Sequence, residues 1–401
     1  MSLSWALLVS LGLACAGYLI GRRRAFAVAG PDVRRLHSRP TYHGFSVALT
    51  SFIAGLAVMF IATILRMTGT LDVYAGPIWG WIVLAAAILG LVWGATRIDS
   101  GYKARNAVER MVMGVLMLCS MIAILTTAAI VLSLIFETGH FFQLYDWKDF
   151  FFGTEWTPRF QGESELGILP LLWGTLYISF IALLVSVPIG LFAAIYMSEY
   201  ASPKVRSFAK PLIELLAGIP TIVYGLFALM TVGPLLRDYF AQPMGLGNSG
   251  SSVLTAGLVM GIMLIPFVSS LSDDIINAVP QSLRDGALGL GSTPSETVRQ
   301  VVLPAALPGV VGAVLLAASR AIGETMIVVL GAGAAAQMSV NPFEAMTTIT
   351  VKIVSQLTGD SDFNSPEALV AFALGLTLFV ITLALNIVAL YIVRKYREQY
   401  E

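Results

Sequence analysis

The stretch SDDIINAVPQSLRDGALGLGSTPSETVRQVVLP, residues 272–304, decides how the rest of the chain is interpreted. Its first half predicts a short helix. Pro280 suits a first helical turn, because the N–H that proline lacks would have no partner there. Leu283, Ala287 and Leu290 then recur at the i, i+4 and i+7 spacing of one apolar helix face.

The second half of this stretch predicts a hinge and another helix. Gly291 can end the first helix, since glycine adopts the left-handed conformation of a helix terminus without strain. Residues 293–296 read Thr-Pro-Ser-Glu, a capping box with proline at the first helical position. The second helix is expected to end at Leu303, because Pro304 disfavours helical backbone in the residue before it. We therefore expect an elbow of two short helices, a shape that suits the docking of another subunit.

The composition of the whole chain indicates a membrane protein. Of its 401 residues, 57% are hydrophobic and 12% are charged, and the mean hydropathy is +0.81, whereas soluble domains are about a quarter charged. The 24 basic and 24 acidic residues cancel, which argues against a nucleic-acid-binding protein. Cys15 and Cys119 lie in apolar runs and are too few for a disulfide framework or a four-ligand zinc site.

Nine apolar runs are long enough to cross a bilayer, which takes about 20 residues. They lie near residues 3–20, 45–65, 78–96, 111–136, 168–196, 211–235, 253–271, 305–332 and 367–393. If residues 21–44 face the cytoplasm, alternation places 18 of the 24 basic residues on that side. The positive-inside rule then predicts an all-α polytopic protein with its N-terminus outside and its C-terminus in the cytoplasm.

The chain divides into two predicted parts. Residues 1–100 hold three plain spans without a buried charge or an unusual polar cluster. Residues 101–401 hold six spans, and their loops carry recognisable sequence signals, including the elbow at 272–304. The features that bear on function therefore lie in the second part.

Two charges lie inside the eighth run, in the segment LLAASRAIGETMIVVLG. Arg320 and Glu324 are four residues apart and are expected to share one helix face. Charges inside a span are costly and mark either a transport path or an internal pairing. In the second case the two residues would form a salt bridge that only spares both charges their desolvation.

In the first case the pair would bind a ligand. The Arg320 guanidinium would bind a tetrahedral oxyanion through two parallel hydrogen bonds. Glu324 would either hold Arg320 in place or accept a hydrogen bond from a protonated ligand oxygen. The second arrangement would favour hydrogen phosphate over sulfate, because only the former carries a proton near neutral pH.

The elbow resembles the EAA loop of binding-protein-dependent ABC importer permeases, whose pattern is EAA-x3-G-x9-I-x-LP. The matching positions are Asp285, Gly286, Ala287, Gly291, Val301, Leu303 and Pro304. In that family the loop is the coupling helix, which sits in a cleft of the ATPase subunit. The resemblance therefore implies that these residues and Arg284 couple the chain to a separate ATPase. Asp285 keeps the charge of the usual Glu, whereas Gly286 replaces an alanine and lowers helix propensity by up to about 1 kcal/mol.

A second resemblance starts from SRAIGETM at residues 319–326, which is similar to the GRALGETM segment in one of the two permease subunits of phosphate-specific ABC importers. Residues 174–200 and 213–229 also resemble the core of that subunit. The resemblance implies that Arg320 and Glu324 act in the substrate path. It also implies that this path is shaped by Glu214, Pro220 and Tyr224.

The same resemblance implies that residues 101–401 form a six-helix type I ABC importer permease core in the inner membrane of a bacterium. It also implies that residues 1–100, with three helices, are an N-terminal extension. The implied substrate is inorganic phosphate. The implied partners are a homologous permease subunit, a dimer of ATPase subunits, a periplasmic phosphate-binding protein and membrane lipid. No Lys follows a glycine anywhere in the chain, so the phosphate-binding loop of ATPases is absent. We expect a transporter subunit that binds no cofactor, with ATP and magnesium used by the partner ATPase.

Two other functions stay open on the sequence. One is an ABC permease for another oxyanion, because the Arg–Glu pair alone does not specify phosphate. The other is an ion-coupled secondary transporter, whose sites also use broken spans and rare buried charges. The elbow argues against the second, since a transporter driven by an ion gradient needs no dock for a motor subunit.

Overall fold

The computed structural model describes residues 3–30, 33–67, 76–159, 164–359 and 365–397, and these are predominantly helical. By packing they fall into two compact units, residues 1–128 and residues 129–401. The division that the sequence predicts at residue 100 stays a prediction.

The first unit is built from long helices joined by short turns. In chain order its elements are α1 (Leu3–Ala29), a 3-10 turn (Val33–Arg35), α2 (Pro40–Met67), α3 (Gly76–Thr96) and the first part of α4 (Ala104–Leu144). Glycines bring these helices close together. A β-carbon at Gly90 would lie 2.5 Å from the Thr50 carbonyl oxygen, and one at Gly21 would lie 2.8 Å from the His43 carbonyl oxygen. Such close backbone approach is how helices associate in lipid, where the hydrophobic effect between them is weak.

The second unit contains the rest of α4 and a longer series of helices. In chain order these are α5 (Trp147–Phe152), α6 (Leu169–Ile195), α7 (Pro203–Ala217), α8 (Thr221–Phe227), α9 (Gly233–Leu236), α10 (Val253–Ala278), α11 (Gln281–Gly289), α12 (Pro294–Thr297), α13 (Leu303–Ile322), α14 (Met326–Gly331), α15 (Ile349–Gly359) and α16 (Pro366–Arg397). π-helical turns follow four of them, at Tyr196–Tyr200, Ala228–Val232, Arg237–Ala241 and Val298–Val302. Two short strands, β1 (Trp156–Thr157) and β2 (Glu165–Leu166), pair antiparallel with Trp156 opposite Leu166.

Helices α6 and α10 form the centre of the second unit, and glycines set the distance between them. A β-carbon at Gly257 would lie 2.6 Å from Ile181 Cγ2, and one at Gly190 would lie 2.9 Å from Val268 Cβ. A larger side chain at either glycine would push the two helices apart. This pair is therefore a tightly packed frame for the segments that surround it.

The prediction of about nine membrane-spanning helices is confirmed. Within the described residues, eight helices are long and apolar enough to cross a bilayer, and one bent pair can count as a ninth. The span predicted near 211–235 is this bent pair, in which helices Pro203–Ala217 and Thr221–Ala241 meet at 85°. Pro220 explains the break, since proline lacks a helical N–H and disfavours helical backbone in the residue before it.

The elbow predicted at 272–304 is present in its main features. Helices α11 and α12 are separate, and Gly291 between them has a left-handed φ of +91°. The capping box of Thr293 and Glu296 forms in both directions. Pro280 differs in detail, because it precedes α11 as the N-cap residue instead of lying in the first turn.

Two expectations for the elbow are wrong. The second helix does not end at Leu303, because α12 runs through the π-helical turn Val298–Val302 into α13. Pro304 therefore lies inside a continuous helix, and the irregular π-helical turn just before it accommodates a residue that lacks a helical N–H. The apolar stripe is also incomplete, because α11 ends before Leu290, which is 91% exposed, whereas Ala287 is buried.

Candidate functional site

The coupling residues predicted on α11 differ in exposure. Asp285 is exposed, and its carboxylate accepts a hydrogen bond from Gln281 Nε2 at 3.1 Å. Gly286 is exposed as well, with open space where a β-carbon would stand. Ala287 is buried. Helix α11 therefore presents a carboxylate to its surroundings, with the exposed side chain of Leu290 directly after the helix.

Arg284 points into the protein instead. Its guanidinium donates hydrogen bonds to Glu199 Oε1 at 2.9 Å, to the Ile276 carbonyl oxygen at 2.8 Å and to the carbonyl oxygen of Val279. The side chains of Arg284 and Glu199 are each only 12% exposed. Carbonyl groups at the end of a helix lack intrahelical partners, and the helix dipole favours a cation there. Arg284 thus fastens α11 to the ends of α6 and α10.

A second group of charges lies near the same end of α10. Asp273 is completely buried, and its carboxylate accepts hydrogen bonds from Arg206 Nη2 at 3.0 and 3.1 Å and from Lys210 Nζ at 2.8 Å. Asn277 Nδ2 donates to the same carboxylate at 2.8 Å. These bonds hold α7 against α10. The name helix-end charge cluster is used below for Glu199, Arg206, Lys210, Asp273 and Arg284.

Sequence reasoning did not identify this cluster as a unit. Arg206 and Lys210 stand four residues apart on α7, which is a visible signal for one charged helix face. Their partner Asp273 lies 67 positions from Arg206 and 63 from Lys210. The pairing therefore depends on how α7 folds back onto α10.

The predicted substrate-path arginine is exposed at the end of a helix. Arg320 lies in the last turn of α13, and its Cζ is 5.8 Å from the ring centroid of Phe267 on α10. Within the part of the chain that the structure describes, Arg320 forms no ion pair with a carboxylate. A guanidinium beside an aromatic ring retains N–H donors that can bind an anion.

Glu324 does not share a helix face with Arg320, so that expectation is wrong. Helix α13 ends at Ile322, and Glu324 lies in the break before α14. Its Oε1 accepts a hydrogen bond from the Met326 N–H at 3.1 Å, and its carbonyl oxygen accepts one from Thr350 Oγ1 at 2.8 Å. The internal salt bridge considered for this pair is not formed. Glu324 instead satisfies a backbone N–H in the first turn of α14.

The residues predicted to shape the path lie at or near the bend between α7 and α8. Pro220 is the N-cap residue of α8. The buried Tyr224 donates a hydrogen bond from its hydroxyl to the Leu216 carbonyl oxygen at 2.8 Å, which bridges the bend. Glu214 is exposed on α7 ahead of the bend. Pro220 and Tyr224 therefore define the bend.

The bend and the break after α13 are neighbours. Helices α8 and α14 follow these two interruptions and pack so closely that a β-carbon at Gly225 would lie 2.8 Å from the Met326 carbonyl oxygen. Tyr224 and Ala321, the residue after Arg320, belong to one buried cluster. The fold thus brings predicted path residues from separate helices into one region, where irregular backbone is protected by surrounding protein.

A separate cavity of 720 Å³ lies beside the two-stranded sheet. Its lining includes the acidic residues Asp149, Glu155, Glu165 and Glu367. The carboxylate of Glu155 accepts a hydrogen bond from protonated Glu165, and this bond and the negative charge of Glu155 raise the pKa of Glu165. Within the described residues, no group of His, Cys, Asp or Glu side chains is arranged to hold a metal ion.

Two family models match the chain. The one described as binding-protein-dependent transport system inner membrane component matches residues 186–398, more than half of the chain. The one described as phosphate ATP-binding cassette transporter matches residues 7–70.

Individual proteins match over longer ranges. Phosphate transport system permease protein PstC 1 of Mycobacterium tuberculosis is 36% identical over 275 residues, covering 61% of this chain and 81% of that protein. Phosphate transport system permease protein PstC of Haemophilus influenzae is 34% identical over 299 residues, covering 70% and 91%. A solved bacterial ABC transporter involved in the import of alginate has a TM-score of 0.50 at 16% identity, covering 73% of this chain and 99% of that chain. At that identity the likeness concerns the fold alone.

Proposed function

We propose that this chain, which belongs to the family of binding-protein-dependent transport system inner membrane components, is a permease subunit that passes inorganic phosphate across the membrane in an ATP-driven importer. The phosphate assignment is supported by relatives named as phosphate transport permeases at 34% and 36% identity. The structural observation that carries it is the exposed guanidinium of Arg320, which has no carboxylate partner within the described residues.

The chemistry of Arg320 suits a tetrahedral oxyanion. A guanidinium binds such an anion through two parallel hydrogen bonds. Because Arg320 takes part in no internal ion pair among the described residues, binding the anion breaks no existing salt bridge. Glu324 accepts a hydrogen bond from the protonated oxygen of hydrogen phosphate and repels the unprotonated sulfate.

The remaining parts of the importer lie in other chains. A homologous permease subunit completes the membrane pathway, a periplasmic binding protein delivers phosphate, and a dimer of ATPase subunits binds ATP and magnesium. Helix α11 docks on the ATPase on the cytoplasmic side through its exposed Asp285 and the neighbouring Leu290. This orientation follows the distribution of basic residues, with the N-terminus outside and the C-terminus inside.

The proposal is tested by uptake of labelled phosphate into cells whose other phosphate carriers are deleted. Arg320→Gln is compared with the wild type and with Arg237→Gln, a matched control in which the arginine pairs with Asp238 at 2.7 Å. Membrane abundance and co-purification of the ATPase are measured for each variant. We expect uptake to be lost in Arg320→Gln and retained in Arg237→Gln.

Two results would contradict the proposal in different ways. Undiminished uptake by Arg320→Gln would remove Arg320 from the substrate path. Import of labelled sulfate by the wild type, with equal competition between sulfate and phosphate, would indicate a permease for another oxyanion.

A further inference from the structure

Arg284 joins three elements through one side chain. Its guanidinium bonds the carbonyl oxygens of Ile276 and Val279 at the end of α10, and the carboxylate of Glu199 in the π-helical turn after α6. A planar guanidinium offers several donors in fixed directions, so it can hold this set of acceptors in one geometry. A lysine in its place would offer a single compact charge.

The backbone between α10 and α11 has no helical continuity. Val279 and Pro280 have ψ angles of 127° and 136°, which is extended backbone. These two residues form a hinge, because the Val279 N–H bonds back to Ile276 in α10 and the Pro280 carbonyl oxygen bonds forward to Leu283 in α11. Neither bond runs from one helix to the other. The side chain of Arg284 bridges this hinge.

The bridge belongs to a series of contacts that continues toward the substrate site. Asp273 ties α10 to α7 through Arg206 and Lys210. Helix α7 leads to the bend at which Tyr224 bonds the Leu216 carbonyl oxygen. Helix α8 beyond the bend packs against α14, directly after the break that follows the helix of Arg320. Such a series of packed elements can carry energetic coupling between two sites.

We propose that Glu199 and Arg284 are positioning residues that lock α11 to the ends of α6 and α10, so that movement of α11 driven by the partner ATPase moves these two membrane helices. The inference rests on the proposed function, because it assumes that an ATPase docks on α11. Arg284 acts within the chain, whereas the exposed Asp285 beside it faces the ATPase.

The burial of this ion pair distinguishes it from ordinary surface pairs. Arg284 and Glu199 are each 12% exposed, and they connect residues 85 positions apart in sequence. Arg105 and Glu109 form a shorter contact of 2.6 Å, but they lie on one helix and are 63% and 56% exposed. Exposed ion pairs within one helix contribute little to stability, and they do not connect that helix to another element. Glu109→Gln is therefore a matched control for Glu199→Gln.

The test uses the complete importer reconstituted in proteoliposomes, and it has two readouts. The first is the ratio of phosphate imported to ATP hydrolysed. The second is the distance between spin labels at Leu288→Cys on α11 and Phe192→Cys on α6, both exposed positions, in a background with Cys15→Ser and Cys119→Ser. The distance is recorded with and without ATP, and it does not depend on which substrate is transported.

We expect Glu199→Gln and Arg284→Lys to lower the transport ratio at least about fivefold, in the range of typical coupling free energies, while ATP hydrolysis continues. The distribution of distances between the two labels should be narrow in the wild type and in Glu109→Gln. It should be broader in Glu199→Gln and in Arg284→Lys, the two bridge variants. If Glu199→Gln does not assemble, Glu199→Asp is judged by the same criteria, because it keeps the charge and shortens the reach.

The results that overturn the inference are specific. An unchanged transport ratio in both bridge variants would mean that the ion pair does not couple α11 to transport. An unchanged distance distribution would mean that α11 is held in place by other contacts. If the wild type imports another oxyanion, the proposed substrate is wrong, and the same two readouts still decide this inference with that anion.

Discussion

The helix-end charge cluster and Arg320 differ in whether their charges are paired inside the protein. In the cluster the buried carboxylate of Asp273 has two cationic partners, and Glu199 has Arg284. Arg320 is exposed beside the ring of Phe267, with no carboxylate paired to it within the described residues.

This difference assigns different tasks to the two regions. A charge whose hydrogen bonds are already satisfied inside the protein stabilises the arrangement of the elements that carry it. A charge without an internal partner gains a compensating interaction only when a ligand of opposite charge binds to it. Substitutions around Asp273 should therefore change stability, substitutions of the Glu199–Arg284 pair should change coupling, and substitutions at Arg320 should change binding.

The largest effect is expected when both partners of Asp273 are removed. Arg206→Gln combined with Lys210→Gln leaves a fully buried carboxylate without a cation, which costs about 3 kcal/mol of unfolding free energy or more. Adding Asp273→Asn should restore most of this loss, since it removes the stranded charge. Unfolding of the purified protein in detergent measures both changes. A triple variant as unstable as the double variant would contradict the role of the buried charge.

Arg320→Lys should give the next largest effect, and in a different measurement. The ammonium keeps the charge but loses the two parallel donors, so the apparent affinity for phosphate should fall about tenfold or more, equivalent to about 1.4 kcal/mol. The concentration dependence of uptake measures this affinity. The unfolding midpoint should not move, because Arg320 is exposed and unpaired with carboxylates among the described residues. A drop in that midpoint would place Arg320 with the structural charges.

Tyr224→Phe tests the bend between α7 and α8, which lies between the helix-end charge cluster and Arg320. It removes one hydrogen bond to the Leu216 carbonyl oxygen and should cost about 1 kcal/mol. Tyr177→Phe is the control, because its hydroxyl donates to the Val340 carbonyl oxygen at the same distance of 2.8 Å. We expect thermal unfolding to report a loss of stability for both variants and uptake to fall only for Tyr224→Phe. Equal uptake by the two variants would show that transport does not depend on the hydrogen bond from Tyr224 across the bend.

The smallest effect concerns a pair of like charges, Glu155 and Glu165. Because the pKa of Glu165 is raised in the folded protein, the folded state holds its proton more tightly than the unfolded chain does. Stability from this group is present below the ordinary glutamate pKa and is lost as pH rises through the raised value. Glu165→Gln should remove this pH dependence of the unfolding midpoint. An identical pH profile for variant and wild type would contradict the raised pKa of Glu165.

Part of the elbow could be predicted because its signals are local. The capping box of Thr293 and Glu296 spans four residues, and its two hydrogen bonds depend only on neighbouring backbone. Gly291 needs a left-handed φ that the sequence signals by the residue type itself. The end of the second helix was misjudged, because the π-helical turn Val298–Val302 lets the chain continue past Pro304.

The membership of the candidate site stays a prediction, and its geometry differs from the one that the sequence predicts. Arg320 and Glu324 stand out in sequence because charges are rare inside an apolar run. Their four-residue spacing predicts a shared face only if the helix continues, and α13 ends between them at Ile322. The side chain of Glu324 then bonds the Met326 N–H, a partner that a continuous helix would not offer.

By itself, the sequence determined the class of the protein, the number of apolar runs and the presence of the two-helix elbow, because hydropathy, capping and hinge residues act over a few positions along the chain. Only the tertiary structure decided that Arg284 turns inward to Glu199, that Asp273 meets Arg206 and Lys210, and that the bend lies beside the break after α13. These partners lie 63 to 85 positions apart. The pairing of distant charges is set by which helices pack together, and periodicity along one segment carries no information about that.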